Sequence, residues 1–90
     1  MNNKLISNLA NNQVLISFKD KKGAFNGNKE FFSYGVKIAE NKEGKIYLDS
    51  NSWDYSKTTI KYLCVYLGFS GKKNILEGIK NNIFTLKNLN

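Results

Sequence analysis

The stretch WDYSKTTIKYLCVYLGF, residues 53–69, gathers a Trp, three Tyr, a Phe, two Lys and the single Cys of the chain. Cys64 is the first candidate for chemistry, because a thiolate is a strong nucleophile. A thiol reaches that state near neutral pH only beside a cation, a His or a metal. The chain contains no His, so neither Ser/His nor Cys/His pairs nor zinc-ligand spacings can be drawn. Cys64 instead falls in helical step with Ile60, Leu63 and Leu67, where it reads as a small core hydrophobe. The seven carboxylates are Asp20, Glu30, Glu40, Glu43, Asp49, Asp54 and Glu77. No two of them have a catalytic or calcium-loop spacing, and each is expected as a turn, cap or surface charge. The glycines form no phosphate-cradling or dinucleotide motif, and Gly23, Gly27 and Gly44 read as turn residues. These absences predict a non-catalytic protein, not an enzyme, that uses no cofactor and no metal.

What the residue types do favour is binding. The formal charge is +7, and all fourteen basic residues are Lys, with no Arg. A basic excess points to an anionic partner, although an A/T-rich coding composition also yields Lys and Asn. The lack of Arg removes the commonest specific contact to guanine in duplex DNA, so sequence-specific duplex reading is not expected. No window approaches the roughly 18 apolar residues of a membrane span, and MNNKLISNLANN lacks the apolar run of a secretory signal. One Cys leaves no internal disulfide. These features predict a cytoplasmic protein with no membrane partner.

Positioning such residues falls to a single domain over residues 1–90, long enough for one modest core. After a short apolar cluster (Leu5, Ile6, Leu9), QVLISFK alternates Val14, Ile16 and Phe18 against Leu15, Ser17 and Lys19, the period of a strand. KDKKGAFNGNKE, residues 19–30, has the composition of a mobile loop or irregular edge. FFSYGVKIAENKEGKIYLDS, residues 31–50, reads as two strands reversed at NKEG. DSNSWD closes the sheet, and Asp54 or Ser56 caps a helix whose apolar stripe is Ile60, Leu63, Cys64 and Leu67, ending at Gly68. A short second helix carries Ile75, Leu76 and Ile79, with Asn74 and Glu77 as a capping pair and Gly78 inside it. IFTLKNL reads as either a last helical turn or a strand, and Phe84 and Leu86 alternating with Thr85 and Lys87 favour a strand at the sheet edge. The expected fold is therefore α+β: a small antiparallel sheet of three to five strands packed on two helices in the C-terminal half.

SYGVKIA (33–39), KIYLDS (45–50) and WDYSKTTIKYL (53–63) resemble a family of small domains encoded by phages and related mobile elements. That family shares a Ser-Tyr strand, a second strand, and a helix start matched here by Trp53, Tyr55, Ser56, Thr58, Thr59 and Lys61. The resemblance spans the last two thirds of the chain and departs at Gly35 and Val36, where the family has a Thr. It implies a mobile-element origin in a bacterial host. By association with other small phage proteins, it also implies inhibition of host defence, as in anti-CRISPR proteins. The hydroxyls at 56, 58 and 59 also have a purely local role as helix-start caps, and Trp53 reads as a packed anchor.

Two functions compete. The first is an inhibitor that docks on a host protein or nucleoprotein complex such as a CRISPR effector. The second is direct, weakly sequence-specific DNA or RNA binding, with Lys on phosphates and aromatic rings on unpaired bases. Both place partner contacts on the side of the first helix opposite its stripe, at Lys57, Lys61, Tyr62 and Tyr66. The Lys-rich segment at Lys19, Lys21, Lys22 and Lys29 is the other candidate.

Overall fold

In a computed structural model that describes residues 4–90, the chain runs β1 (Lys4–Ala10), β2 (Gln13–Lys19), β3 (Phe25–Ser33), β4 (Val36–Lys42), β5 (Lys45–Asp49), α1 (Lys57–Leu67), α2 (Lys72–Lys80) and β6 (Phe84–Lys87). All six strands form one sheet in chain order. The fold is α+β with both helices in the C-terminal half, as the patterning predicts. The strand count of three to five is too low, and the sheet is not wholly antiparallel: β6 returns parallel to β5 after the two helices. A parallel neighbour requires such a crossover.

The undercount has local causes. Chain reversal between β3 and β4 uses Tyr34 (φ 52°) and Gly35 (φ 79°), the two left-handed positions of a tight hairpin turn. A Tyr at the first of them hides the usual Asn-Gly signal. The 43–44 turn, within the expected NKEG reversal, repeats the geometry with Glu43 and Gly44. Residues 25–30, expected in a mobile loop, belong to β3, where Lys29 and Glu30 are held on both sides, Lys29 by Ser17 and Asn41 and Glu30 by Ile16 and Glu40. The irregular part shrinks to the turn at 20–24, where the Asp20 carboxylate accepts from the Lys22 and Ala24 amides.

Ser56 caps α1 by accepting from the Thr59 amide at 3.1 Å, and Gly68 ends the helix at φ 78°. The helix face differs from the expected stripe. Thr59, Leu63, Cys64 and Tyr66 are buried, whereas Ile60 and Leu67 are only half-buried. The face is centred on 59, 63 and 66 (i, i+4, i+7), one position away from the apolar stripe. Two polar side chains explain the shift. The Thr59 hydroxyl meets Ser33 Oγ at 2.9 Å, and the Tyr66 hydroxyl donates to Asn41 Oδ1 at 2.7 Å, so both are satisfied at depth.

For α2, the Asn74–Glu77 capping pair does not form; Gly71 stands at the cap without a side-chain hydrogen bond. Gly78 is required there for space, since a Cβ would come within 2.3 Å of the Phe84 ring. Phe84 is buried and Leu86 is exposed, so only one of the two alternating residues of β6 packs inward. Asp49 is not a surface charge: buried at the end of β5, it accepts from the Ser52 hydroxyl and from the Leu89 amide, drawing the C-terminus across the strand. Burial alone would raise its pKa; the hydrogen bonds from Ser52, Leu89, Asn90 and Asn51 outweigh that and hold it below the ordinary value.

Candidate functional site

Strand register sorts every side chain to one of two sheet faces. One row, Ser7–Leu15–Phe31–Ala39–Leu48–Leu86, crosses all six strands and includes the core residues Phe31, Ala39 and Leu48. Phe31 stacks on Tyr66 of α1 with ring centroids 5.7 Å apart. Both helices lie on this side.

The row one step along each strand, Ile6–Ile16–Glu30–Glu40–Tyr47–Thr85, points the other way. Beside it run Asn8–Val14–Phe32–Lys37 on one flank, and the pairs Lys4–Phe18 and Lys42–Lys45 on the other. Ile6 is 55% exposed, and Val14, Ile16, Phe18, Phe32 and Tyr47 are half-buried and outside the core cluster. This face has an apolar side on β1–β3 and a charged side on β3–β6, where Lys87 Nζ stands 5.1 Å from the Tyr47 centroid.

At the centre, antiparallel pairing sets Glu30 directly opposite Glu40, and Lys37 Nζ bridges them at 2.5 and 2.7 Å. Two facing carboxylates repel, and one ammonium cancels one of the two charges. Burial would lower the Lys37 pKa; the hydrogen bonds and charges of Glu30 and Glu40 prevail and raise it. The Lys37 backbone is fixed from the far end of the chain: its amide donates to Asn90 Oδ1, and Asn90 Nδ2 donates to its carbonyl, both at 3.0 Å. A basin of about 370 Å³ opens beside the triad, walled by Phe18 and rimmed by Lys19, Lys42, Asn26 and Asn28. The two carboxylates expected to act separately are thus brought together by register, which linear spacing does not encode.

The eight residues expected to contact a partner fall into three separate places. Lys57 and Lys61 are exposed on α1 and, with Lys72, border a shallow groove floored by Ile60, Cys64 and Phe69. Tyr62 beside them is half-buried, with Lys61 Nζ 5.4 Å from its ring centroid. Tyr66 does not belong to an outer patch: it is buried, and its hydroxyl also reaches the Lys29 carbonyl at 3.1 Å. Burial raises its pKa far above the usual phenolic value. Lys29 is not in a loop; it sits in β3 with Nζ 4.8 Å over the Tyr66 ring. Lys19, Lys21 and Lys22 cluster at the β2–β3 turn, with Lys19 against Phe25 at 5.3 Å. Burial pushes the Cys64 thiol up, away from the thiolate. Among the described residues, no three His, Cys, Asp or Glu side chains are grouped to hold a metal, and no helix is long and apolar enough to cross a membrane.

Residues missed in the sequence are those of the open face: Phe18, Phe32, Lys37, Lys42, Lys45, Tyr47 and Lys87. Lys42 and Lys45, flanking the Glu43–Gly44 turn, were the available signal, since i and i+3 across a two-residue hairpin turn share a face. A model of a family of unknown function (DUF8033) matches residues 3–84. No curated protein and no solved structure matches the chain.

Proposed function

We propose that this chain, which belongs to that family of unknown function, is a non-catalytic protein that takes single-stranded nucleic acid across its open sheet face. The observation that carries this reading is the interleaving of three rings, Phe18, Phe32 and Tyr47, with Lys4, Lys42, Lys45 and Lys87 on one uncovered surface. Unpaired bases stack on aromatic rings with little regard to sequence, and Lys supplies point charges for phosphates. No Arg fork is needed for either role. A bacterial cytoplasm is the compartment in which such a strand would be met.

Fluorescence anisotropy with labelled single-stranded oligonucleotides tests the reading. Neutralising about four phosphates gives a log–log salt slope near −3, and Lys42→Glu with Lys45→Glu should flatten it. Phe18→Ala should weaken binding about tenfold, the lower range for one lost stack. Absence of binding at low salt would overturn the reading.

A second reading, inhibition of a host nucleoprotein effector such as a CRISPR complex, is favoured by the aliphatic strip Ile6, Val14 and Ile16. Those side chains offer no ring for a base, yet they suit an apolar protein surface beside bound nucleic acid. Capture of an effector complex that survives high salt, with no affinity for free oligonucleotides, would replace the first reading by this one.

A further inference from the structure

We propose that the basin beside the Glu30–Lys37–Glu40 triad is a recognition site for an unpaired guanine. The inference rests on the nucleic-acid reading of the open face and names the base that face selects.

The argument begins with charge. The triad carries one ammonium and two carboxylates, a net negative spot between the apolar side of the face and the side that carries Lys42, Lys45 and Lys87. Phosphate is repelled there, so the group that fits must donate hydrogen bonds. Lys37 engages Glu30 Oε2 and Glu40 Oε1. The second oxygen of each carboxylate has no hydrogen bond or ion pair among the described residues, and the two side chains remain 22% and 13% exposed. Each carboxylate therefore lines the basin with acceptor capacity to spare, held to Lys37, whose backbone is clamped by Asn90.

Base chemistry then selects the ligand. A carboxylate accepts through two oxygens and donates nothing. Guanine alone offers two adjacent donors, N1–H and N2–H, on its Watson–Crick edge; adenine, cytosine and uracil or thymine each set an acceptor beside a donor. The basin, at about 370 Å³, has the volume of a small-ligand site and suits one nucleotide. Phe18 supplies a wall for the base, and Lys19 and Lys42 on the rim supply positive charge for its flanking phosphates.

The test compares oligothymidine 12-mers with and without one central guanine, together with hypoxanthine and adenine at the same position, and free GMP. A central guanine should tighten binding about tenfold, in the range of a good bidentate base contact. Hypoxanthine, which lacks the N2 donors, should lose most of that gain. Glu40→Gln leaves Lys37 paired with Glu30 and should erase the guanine preference while retaining affinity for oligothymidine. Equal affinity for all four 12-mers would overturn the guanine site and leave the open-face reading intact. Failure of every oligonucleotide to bind, with GMP bound in a Glu40-dependent manner, would keep the guanine site and identify free nucleotide as its source. No binding of any oligonucleotide or of GMP would overturn both.

Discussion

The two faces of β2 differ in a way opposite to simple expectation. On β2, the residues turned toward the helices are Gln13, Leu15 and Ser17, whereas those turned away are Val14, Ile16 and Phe18. The covered side takes the more polar set. Elsewhere on that side the helices bring partners for polar groups, Thr59 reaching Ser33 and the Ser56 hydroxyl at 2.9 Å each and Tyr66 reaching Asn41, whereas the Gln13 amide has none among the described residues. The uncovered side keeps the more apolar set. A sheet face left to solvent ordinarily alternates to polar residues, and the apolar groups retained there are what the proposed contact role draws on.

Truncation in the covered core is the most severe way to probe that contrast. Leu63 is fully buried, and Leu63→Ala should lower stability by about 2–5 kcal/mol, the range for a deleted core Leu. In a domain of this size the variant approaches unfolding, and urea denaturation would measure it. An unchanged midpoint would mean that α1 does not bury this face.

Tyr66→Phe comes next. Removing a buried hydroxyl whose one proton goes to Asn41 Oδ1 at 2.7 Å, with the Lys29 carbonyl 3.1 Å away, should cost about 1.5 kcal/mol. The variant also sharpens the pH dependence. Tyr66 and Lys37 both have folded pKa values above their ordinary ones. Their contributions are therefore complete below the unfolded values of about 10 and are lost as pH rises through the folded values. Urea melts between pH 8 and 11 should show stability falling in the wild type and falling less steeply in Tyr66→Phe. Equal slopes would remove Tyr66 from the alkaline limb.

Gln13 tests the covered face in the other direction. Its amide is fully buried, and neither its nitrogen nor its oxygen has a hydrogen-bond partner among the described residues. A buried unpaired amide is unfavourable, so Gln13→Met, similar in size and apolar, should raise stability by about 1 kcal/mol. A lower midpoint would show that the amide is hydrogen-bonded in solution.

The reach of the sequence follows from this contrast. Period-two spacing identifies β2, and a cap at Ser56 with a stop at Gly68 bounds α1, because those signals are local. Which set of β2 faces the helices is decided by where the chain crosses after β5, and no residue within β2 records that. The start of β3 was illegible for a related reason: Asn26, Gly27 and Asn28 have turn propensities, and they keep a local turn bond, Asn28 N–H to Asn26 Oδ1 at 2.9 Å, between the paired residues Phe25 and Lys29. On α1, polarity misplaced Thr59 and Tyr66, since a polar side chain enters a core once a distant partner such as Ser33 or Asn41 satisfies it. The Glu30–Lys37–Glu40 triad exists only through the β3–β4 register, which includes a shift between Phe31 and Phe32.

The smallest expected change in stability is the most informative about function. Ile16 is half-buried on the open face, between Ile6 and Glu30 in its row. Ile16→Thr retains β-branching and strand propensity, so stability should move by only about 0.5 kcal/mol, the usual scale for a surface site. A loss as large as that of Leu63→Ala would mean that this face is covered in the free protein, and the contrast between faces would fail. If stability holds, binding separates the two functional readings. A protein partner seated on the aliphatic strip should lose affinity several-fold, because an apolar anchor has become polar. A single strand held by Phe18, Tyr47 and the Lys side chains should be bound as before, since Ile16 offers it neither ring nor charge.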